Sequence, residues 1–207
     1  ALIADGQQGD ATAKVKITEN TIVNVTFKPI VYTPVAYADL HNHLTDTQPE
    51  SDGIYYIEVT GLQAKHLKGN DSDEHDPKPS PLGAILQAHP TKKVALKLGG
   101  SVSALMDMPL CFYKCTSLVG VAAIPKGIKD MTDCFDSCTS LTQAPVLPES
   151  VTKMNGCFQN CTSLTKAPAI PKGVKDMEMS SCFYSCKTLT QRPTIQEGVH
   201  DSERRFR

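Results

Sequence analysis

The C-terminal half of the chain repeats one order of apolar and polar positions. The motif CFxxC begins at Cys111, Cys134, Cys157 and Cys182, so that the copies follow one another at intervals of 23, 23 and 25 residues. A fixed period of this length is typical of repeat proteins, whose units bury their apolar sides only by stacking on their neighbours. The pattern therefore predicts four stacked repeats over residues 111–200.

Five columns of apolar residues hold the same place in each repeat, and we interpret them as the core. Stacked strands would put like side chains about 5 Å apart along each column. The columns are Phe112, Phe135, Phe158 and Phe183; Leu118, Leu141, Leu164 and Leu189; Ile124, Leu147, Ile170 and Ile195; Ile128, Val151, Val174 and Val199; and Met131, Met154 and Met177.

Prolines limit the length of the strands that these columns predict. Because proline has no backbone N–H and interrupts a ladder of hydrogen bonds, we expect strands of about three or four residues. One proline column lies inside the predicted strand (Pro145, Pro168, Pro193), and a second ends it (Pro125, Pro148, Pro171).

Other positions change from repeat to repeat while the apolar frame stays the same. Such variation is typical of a scaffold that presents a binding surface. The candidates for this surface are Val121, Gln143, Lys166, Gln191 and Arg192 on the strands, with Lys126, Glu149 and Lys172 in the following loops.

The pattern C-x-x-L-x-x-A-P-x-I-P-x-x-V-x-x-M, followed by F-x-x-C, resembles BspA-like leucine-rich repeats, especially treponemal versions rich in CTSLTxAP. The resemblance covers about residues 93–200. It implies an α/β solenoid, a right-handed leucine-rich repeat with short parallel strands on one face. It also implies a surface-exposed or secreted bacterial protein that binds host or bacterial proteins. The first cysteine of CFxxC departs from the family, which more often has Ala or Met there.

The first half of the chain has a different pattern. In KVKITENTIVNVTFKP, alternating apolar residues on either side of Glu19 and Asn20 predict a β-hairpin within residues 1–33. This stretch resembles the last hairpin of internalin-type B-repeat domains and suggests a remnant of a preceding module.

Residues 34–110 are predicted to form irregular helix–strand coils that begin the solenoid and cap its open end, because the first repeat would otherwise expose its apolar edge. Val35, Leu40 and Leu44 have helical spacing, and Ser80 followed by Pro81 is typical of a helix start. The segments GIYYIEVTGL and TKKVALKLGGSV are predicted strands. Residues 201–207 break the pattern and are interpreted as a tail.

The eight cysteines allow three interpretations. They pack as reduced core residues, they bind metal, or each pair closes its own repeat as a disulfide. In an ideal helix, β-carbons four residues apart lie about 5–6 Å from each other, whereas a disulfide needs about 3.8 Å. A tight non-helical turn would close that gap. The four pairs are Cys111–Cys115, Cys134–Cys138, Cys157–Cys161 and Cys182–Cys186, and an even count favours an oxidising compartment, such as the cell surface, the secreted fraction or the periplasm.

Composition and known motifs exclude several other functions. Twenty-one basic and 22 acidic residues give a formal net charge of −1, which does not favour nucleic acid as a partner. The sequence contains no run of 18 apolar residues, so that no membrane-spanning helix is predicted. His41 and His43, two apart on a predicted helix, point to different sides and are not expected to share a metal ion. The segment NDSDEHDPKPS departs from the calcium-loop pattern at His75 and Asp76.

No phosphate-binding loop, nucleophile elbow or zinc-protease motif is present. We therefore expect a non-enzymatic protein without cofactor or metal, whose repeats bind another protein in an adhesion or interaction role. The alternative is a structural surface or periplasmic protein that associates with itself as a homo-oligomer through exposed strand edges.

Overall fold

A computed structural model of the chain divides it into two compact units, Ala1–Tyr32 and Thr33–Arg207. The first unit contains the predicted hairpin. Strand β1 (Ala11–Thr18) pairs antiparallel with β2 (Thr21–Phe27), and Ala11 lies opposite Phe27. The structure describes residues 11–18, 21–27, 29–70, 76–100, 102, 105–174, 181–191 and 193.

The second unit is organised around a parallel sheet with the strand order β3-β4-β5-β6. Parallel neighbours require the chain to cross back after each strand, so each strand is followed by a helix or a turn on the way to the next. This arrangement fits a repeat fold. The strands are β3 (Thr33–Ala36), β4 (Ile54–Thr60), β5 (Lys93–Leu98) and β6 (Leu118–Val121).

Strand β4 shows why these segments form strands. Tyr55, Ile57 and Val59 are buried and alternate with half-buried neighbours, as expected when one face of a sheet packs on the core. Strand β5 begins and ends near exposed lysines and buries Val94 and Leu96. Both strands were predicted from the sequence.

Two short helices lie between the first strands. Helix α2 (Pro81–Gln87) begins as predicted, since the Ser80 hydroxyl accepts a hydrogen bond from the Gly83 N–H at 3.1 Å. Helix α1 (Leu40–Asp46) buries Leu40 and Leu44. Val35, predicted to share that helix, instead lies in β3, where it pairs with Val59. Single 3-10 turns occupy Tyr37–Asp39 and Ala64–His66.

After β6 the strands shrink to single bridges, which corrects the expected three or four residues. Gln143 pairs with Lys166, and Lys166 pairs with Gln191, each in parallel. Pro145 and Pro168 follow two residues after the first two of these positions and cannot donate to a longer ladder.

The predicted core columns are present over the described part of the chain. One cluster of buried residues runs from Val35 to Phe183, through the segment of strands and helices and through the repeats that follow it. Leu147 and Leu189 are only partly buried at its edge. Met177, Ile195 and Val199 lie outside the described residues, as does the tail 201–207.

Candidate functional site

The CFxxC motifs form tight turns. They are not helical, so the β-carbon spacing of an ideal helix does not apply to their cysteines. In every copy the residue before the motif and the fourth residue of the motif have left-handed backbone angles. That conformation costs most residues about 1–2 kcal/mol, and only Gly156, Asn160 and Asp133 are of a type that visits it readily. The preceding residues are Leu110, Asp133, Gly156 and Ser181, with φ of 54, 51, 58 and 54°; the fourth residues are Lys114, Ser137, Asn160 and Ser185, with φ of 54, 60, 56 and 60°.

A backbone ladder joins each turn to the next. The Phe112 N–H donates to the Cys134 carbonyl at 2.8 Å, and Phe135 and Phe158 repeat the bond to the following motif at 2.8 and 2.9 Å. The phenyl rings stack along the same direction, with centroids 5.3, 5.2 and 5.6 Å apart from Phe112 to Phe183. The turns therefore stack in register, as the repeat period predicted.

The cysteines also hold successive turns together. The Cys138 thiol lies 3.0 Å from the Phe112 carbonyl and donates to it, and Cys161 and Cys186 make the same bond to the preceding turn at 3.1 and 3.0 Å. The first cysteine of each motif is fully buried. All eight are free thiols, so that the reduced-core interpretation describes the structure and the four disulfide pairs do not appear in it.

Burial governs the chemistry of these thiols. Desolvation raises the pKa of Cys115, Cys138 and Cys161 well above the ordinary value, and it raises the pKa of the less buried Cys186 to about 11. A thiol is nucleophilic as the thiolate, so these groups are weak nucleophiles at neutral pH. The arrangement supports packing rather than redox catalysis.

Helix α2 occupies the place of a turn at the start of the repeats. The Ser80 hydroxyl donates to the Cys111 carbonyl at 2.8 Å, and the Cys115 thiol donates to the Gly83 carbonyl at 3.3 Å. Cys115 thus binds helix α2 as later cysteines bind the preceding turn. A Cβ on Gly83 would lie 2.3 Å from the Cys111 carbonyl oxygen, so the helix approaches this closely only because residue 83 is glycine.

The varying strand residues form a continuous row at the surface. Lys166 is exposed and stands between Gln143, which is half-buried, and Gln191, which is exposed. The threonine before each of them, at 142, 165 and 190, donates its hydroxyl to the carbonyl of the previous repeat at 3.3, 3.2 and 3.2 Å. These bonds fix the backbone of the row, while the side chains change from Gln at 143 to Lys at 166 and back to Gln at 191.

A second exposed row follows in the loops. Lys126, Glu149 and Lys172, the three loop candidates, are all exposed. Between the two rows, Ala123 pairs with Val146, whose exposed fraction of 50% is large for an apolar side chain. The surface thus combines amide, charged and apolar groups. We call residues 142–149, 165–172, 190 and 191, with Ala123 and Lys126, the strand face.

Two candidates do not join this surface. Val121 is only 4% exposed, pairs with Leu96 and belongs to the core, in a strand whose four residues are all buried. Its neighbour Gly120, which pairs with Ala95, is the equivalent of Gln143. Arg192 lies outside the described residues.

Neither the histidine pair nor the polar loop was expected to bind a metal ion. His41 and His43 are not brought to one point; the His41 Nδ1 instead lies 3.1 Å from the His89 Nε2, and the His43 ring meets the Tyr55 ring edge-on. In the polar loop, Asp76 pairs with Lys78, while Asp71, Asp73 and His75 lie outside the described residues. Within the described ranges, no three His, Cys, Asp or Glu side chains form a group able to hold a metal ion.

Among the helices that the structure describes, none has the length and apolar character needed to cross a bilayer. Searches of curated proteins and of solved structures found no significant match.

A comparison with protein families does give a match. Residues 108–201 fit the family model of the BspA type leucine rich repeat region in six copies, whereas the CFxxC motif marks four. The match covers the stacked turns, the bridged strands and the strand face described above. Residues 108–201 are therefore a BspA-type leucine-rich repeat region, a class of protein-interaction repeat module.

Proposed function

We propose that the strand face of this region binds another protein, and that the chain acts as a non-enzymatic adhesion or interaction module. The observation that carries the proposal is the row at 143, 166 and 191. Its backbone is held in register by bridges and threonine hydroxyls, yet its side chains change from amide to ammonium and back to amide. A rigid backbone frame suits recognition, because little backbone conformational entropy is lost on binding.

We also propose a solenoid architecture for the repeats and a cellular location for the protein. The repeats form a right-handed solenoid whose open end is capped by helix α2 and the strands before it, in line with the hand of parallel crossovers. The bonds from Ser80 and Cys115 between helix α2 and the first turn support the capping role. The BspA-type family favours the surface or the secreted fraction of a bacterium, with a host or bacterial surface protein as partner.

The experiment measures binding of the purified chain to a panel of immobilised extracellular-matrix and cell-surface proteins. Lys166→Glu reverses an exposed charge at the centre of the row. Lys153→Glu is the matched control, because Lys153 is also exposed but pairs with Asp130 on a separate ladder. We expect Lys166→Glu to raise the Kd for a captured partner at least tenfold, about 1.4 kcal/mol, and Lys153→Glu to leave it within twofold.

Two results would count against the strand face. Equal binding by wild type and Lys166→Glu would place the contact elsewhere, and equal losses in both variants would indicate a general effect of net charge. Light scattering of the same samples tests the self-association alternative, which requires a molar mass that rises with concentration.

A further inference from the structure

We propose that His41 and His89 form a two-nitrogen binding site for a divalent transition-metal ion that prefers imidazole, such as Ni²⁺, Cu²⁺ or Zn²⁺. The site lies outside the leucine-rich repeat match, between helix α1 and the residues that follow helix α2.

The distance between the two nitrogens carries the proposal. The His41 Nδ1 and the His89 Nε2 are 3.1 Å apart. Imidazole–metal bonds are about 2.0–2.1 Å long, so two adjacent nitrogens on one ion lie about 3 Å from each other. The rings are tilted by 53° with centroids 4.8 Å apart, rather than stacked flat. In the structure this contact is an N–H···N hydrogen bond; an ion would replace its proton as the two rings rotate, so that both nitrogen lone pairs point at the ion instead of at each other.

The backbone holds both histidines in place without the ion. His41 is in helix α1, which is anchored by the fully buried Leu40 and Leu44. The turn after helix α2 is closed by the His89 N–H, which donates to the Leu86 carbonyl at 3.0 Å. Because the ligands are already ordered, metal binding pays little for arranging them.

The site differs from a structural zinc centre, which is closed by four protein ligands. No third His, Cys, Asp or Glu joins the pair within the described ranges. Water would fill the other positions on the exposed side of His41, and the nearby Lys92 ammonium opposes a cation. We therefore expect moderate affinity, with Cu²⁺ bound more tightly than Ni²⁺ in the usual order for such ligands.

Two further histidines supply matched controls. The His43 ring packs edge-on against Tyr55, and the His66 ring stacks on Tyr37 with centroids 3.9 Å apart. The His66 Nδ1 also accepts a hydrogen bond from the Gln63 N–H at 3.1 Å. Among the residues that the structure describes, neither ring forms a nitrogen pair of the kind formed by His41 and His89.

The test titrates the full chain, without an affinity tag, with NiCl₂ in a calorimeter. Ni²⁺ is the probe because it does not oxidise the thiols as Cu²⁺ would. We expect one Ni²⁺ per chain, at least tenfold weaker binding in each of His41→Ala and His89→Ala, and affinity within twofold of wild type in His43→Ala and His66→Ala.

Thermal unfolding provides the second measurement. Without metal, His89→Ala should melt close to wild type, which shows that the variant folds; with Ni²⁺, only wild type and the two controls should gain stability. Absence of Ni²⁺ binding by wild type below millimolar concentration would overturn the proposal. It would equally be overturned if His41→Ala and His89→Ala bound like wild type, or if His43→Ala lost as much affinity as they do.

Discussion

The segment 33–100 and the repeats after it share one sheet and one core but are built differently. In the first segment, strands of four to seven residues alternate with seven-residue helices. In the repeats, strand β6 is followed by single bridges, and the helices are replaced by CFxxC turns with left-handed residues at both ends. The core nevertheless continues without a break from Val35 to Phe183.

The difference shows which interactions align successive short repeats with one another. In the first segment, ladders between strands align the chain, and helices cover them. In the repeats, prolines have shortened those ladders, and alignment comes from the turns through Phe–Cys backbone bonds, stacked phenyl rings and thiol–carbonyl bonds. The first cysteine of each motif, which departs from the usual family pattern, contributes a backbone carbonyl and a fully buried side chain, whereas the thiol–carbonyl bonds come from the second cysteine.

The largest expected effect comes from removing one ring of the stack. Phe135 is fully buried and lies between two other rings, with centroids at 5.3 and 5.2 Å. Phe135→Ala should lower the free energy of unfolding by about 3–5 kcal/mol, because it leaves a cavity in a packed core. Urea denaturation measures the loss. Val146→Ala, at an exposed position of the same repeat, should change it by less than about 0.5 kcal/mol; similar values for the two would show that the phenyl column is not core.

Helix α2 provides the next test, at the junction of the two segments. Alanine normally stabilises a helix relative to glycine by about 0.5–1 kcal/mol. In Gly83→Ala, however, the added methyl would meet the Cys111 carbonyl at 2.3 Å, and we expect a net loss of about 1–3 kcal/mol. Thermal or urea unfolding gives the sign directly, and a more stable Gly83→Ala protein would contradict the close contact.

The rate of thiol alkylation distinguishes the partly buried Cys186, in the last described turn, from the fully buried cysteines of the earlier turns. At neutral pH a pKa of about 11 leaves Cys186 with far less thiolate than a free cysteine. Because a more basic thiolate is intrinsically more reactive, we expect Cys186 to be alkylated about tenfold more slowly than free cysteine. The fully buried Cys134, Cys138 and Cys157 should react only on unfolding. Mass spectrometry after denaturation without reductant should find eight modified thiols; fewer would restore the disulfide interpretation.

The smallest effect concerns the left-handed residues. Ser185 has a φ of 60°, and Ser185→Gly should stabilise the protein by about 0.5–1 kcal/mol, since glycine adopts this conformation without steric cost. The paired variant Ser185→Val should destabilise it, because a β-branched residue is least compatible with that angle. Unfolding midpoints of the two variants that moved in the opposite order would contradict the turn geometry.

The sequence predicted those parts of the fold that leave a periodic signal. Repeat length, the core columns, strands β4 and β5 and the Ser80 cap were all readable, because burial imposes a period on residue type. The left-handed turns were not, because most of the residues that adopt them, such as Leu110, Lys114 and Ser137, are of types that do not indicate them. Val121, assigned to the surface, is buried together with the other residues of its strand, whose register slips between Val94 and Ala95. His41 and His89 are 48 residues apart, so only the fold brings them together.

The most direct test of turn stacking is amide hydrogen exchange at Phe112, Phe135 and Phe158. Each N–H donates to the carbonyl of the next motif, at 2.8, 2.8 and 2.9 Å, and lies beside a buried ring. Stacked turns predict that the three amides exchange slowly and at similar rates, through a shared opening of the repeats. Exchange at the rate of exposed loop amides, such as that of Lys172, would contradict the account.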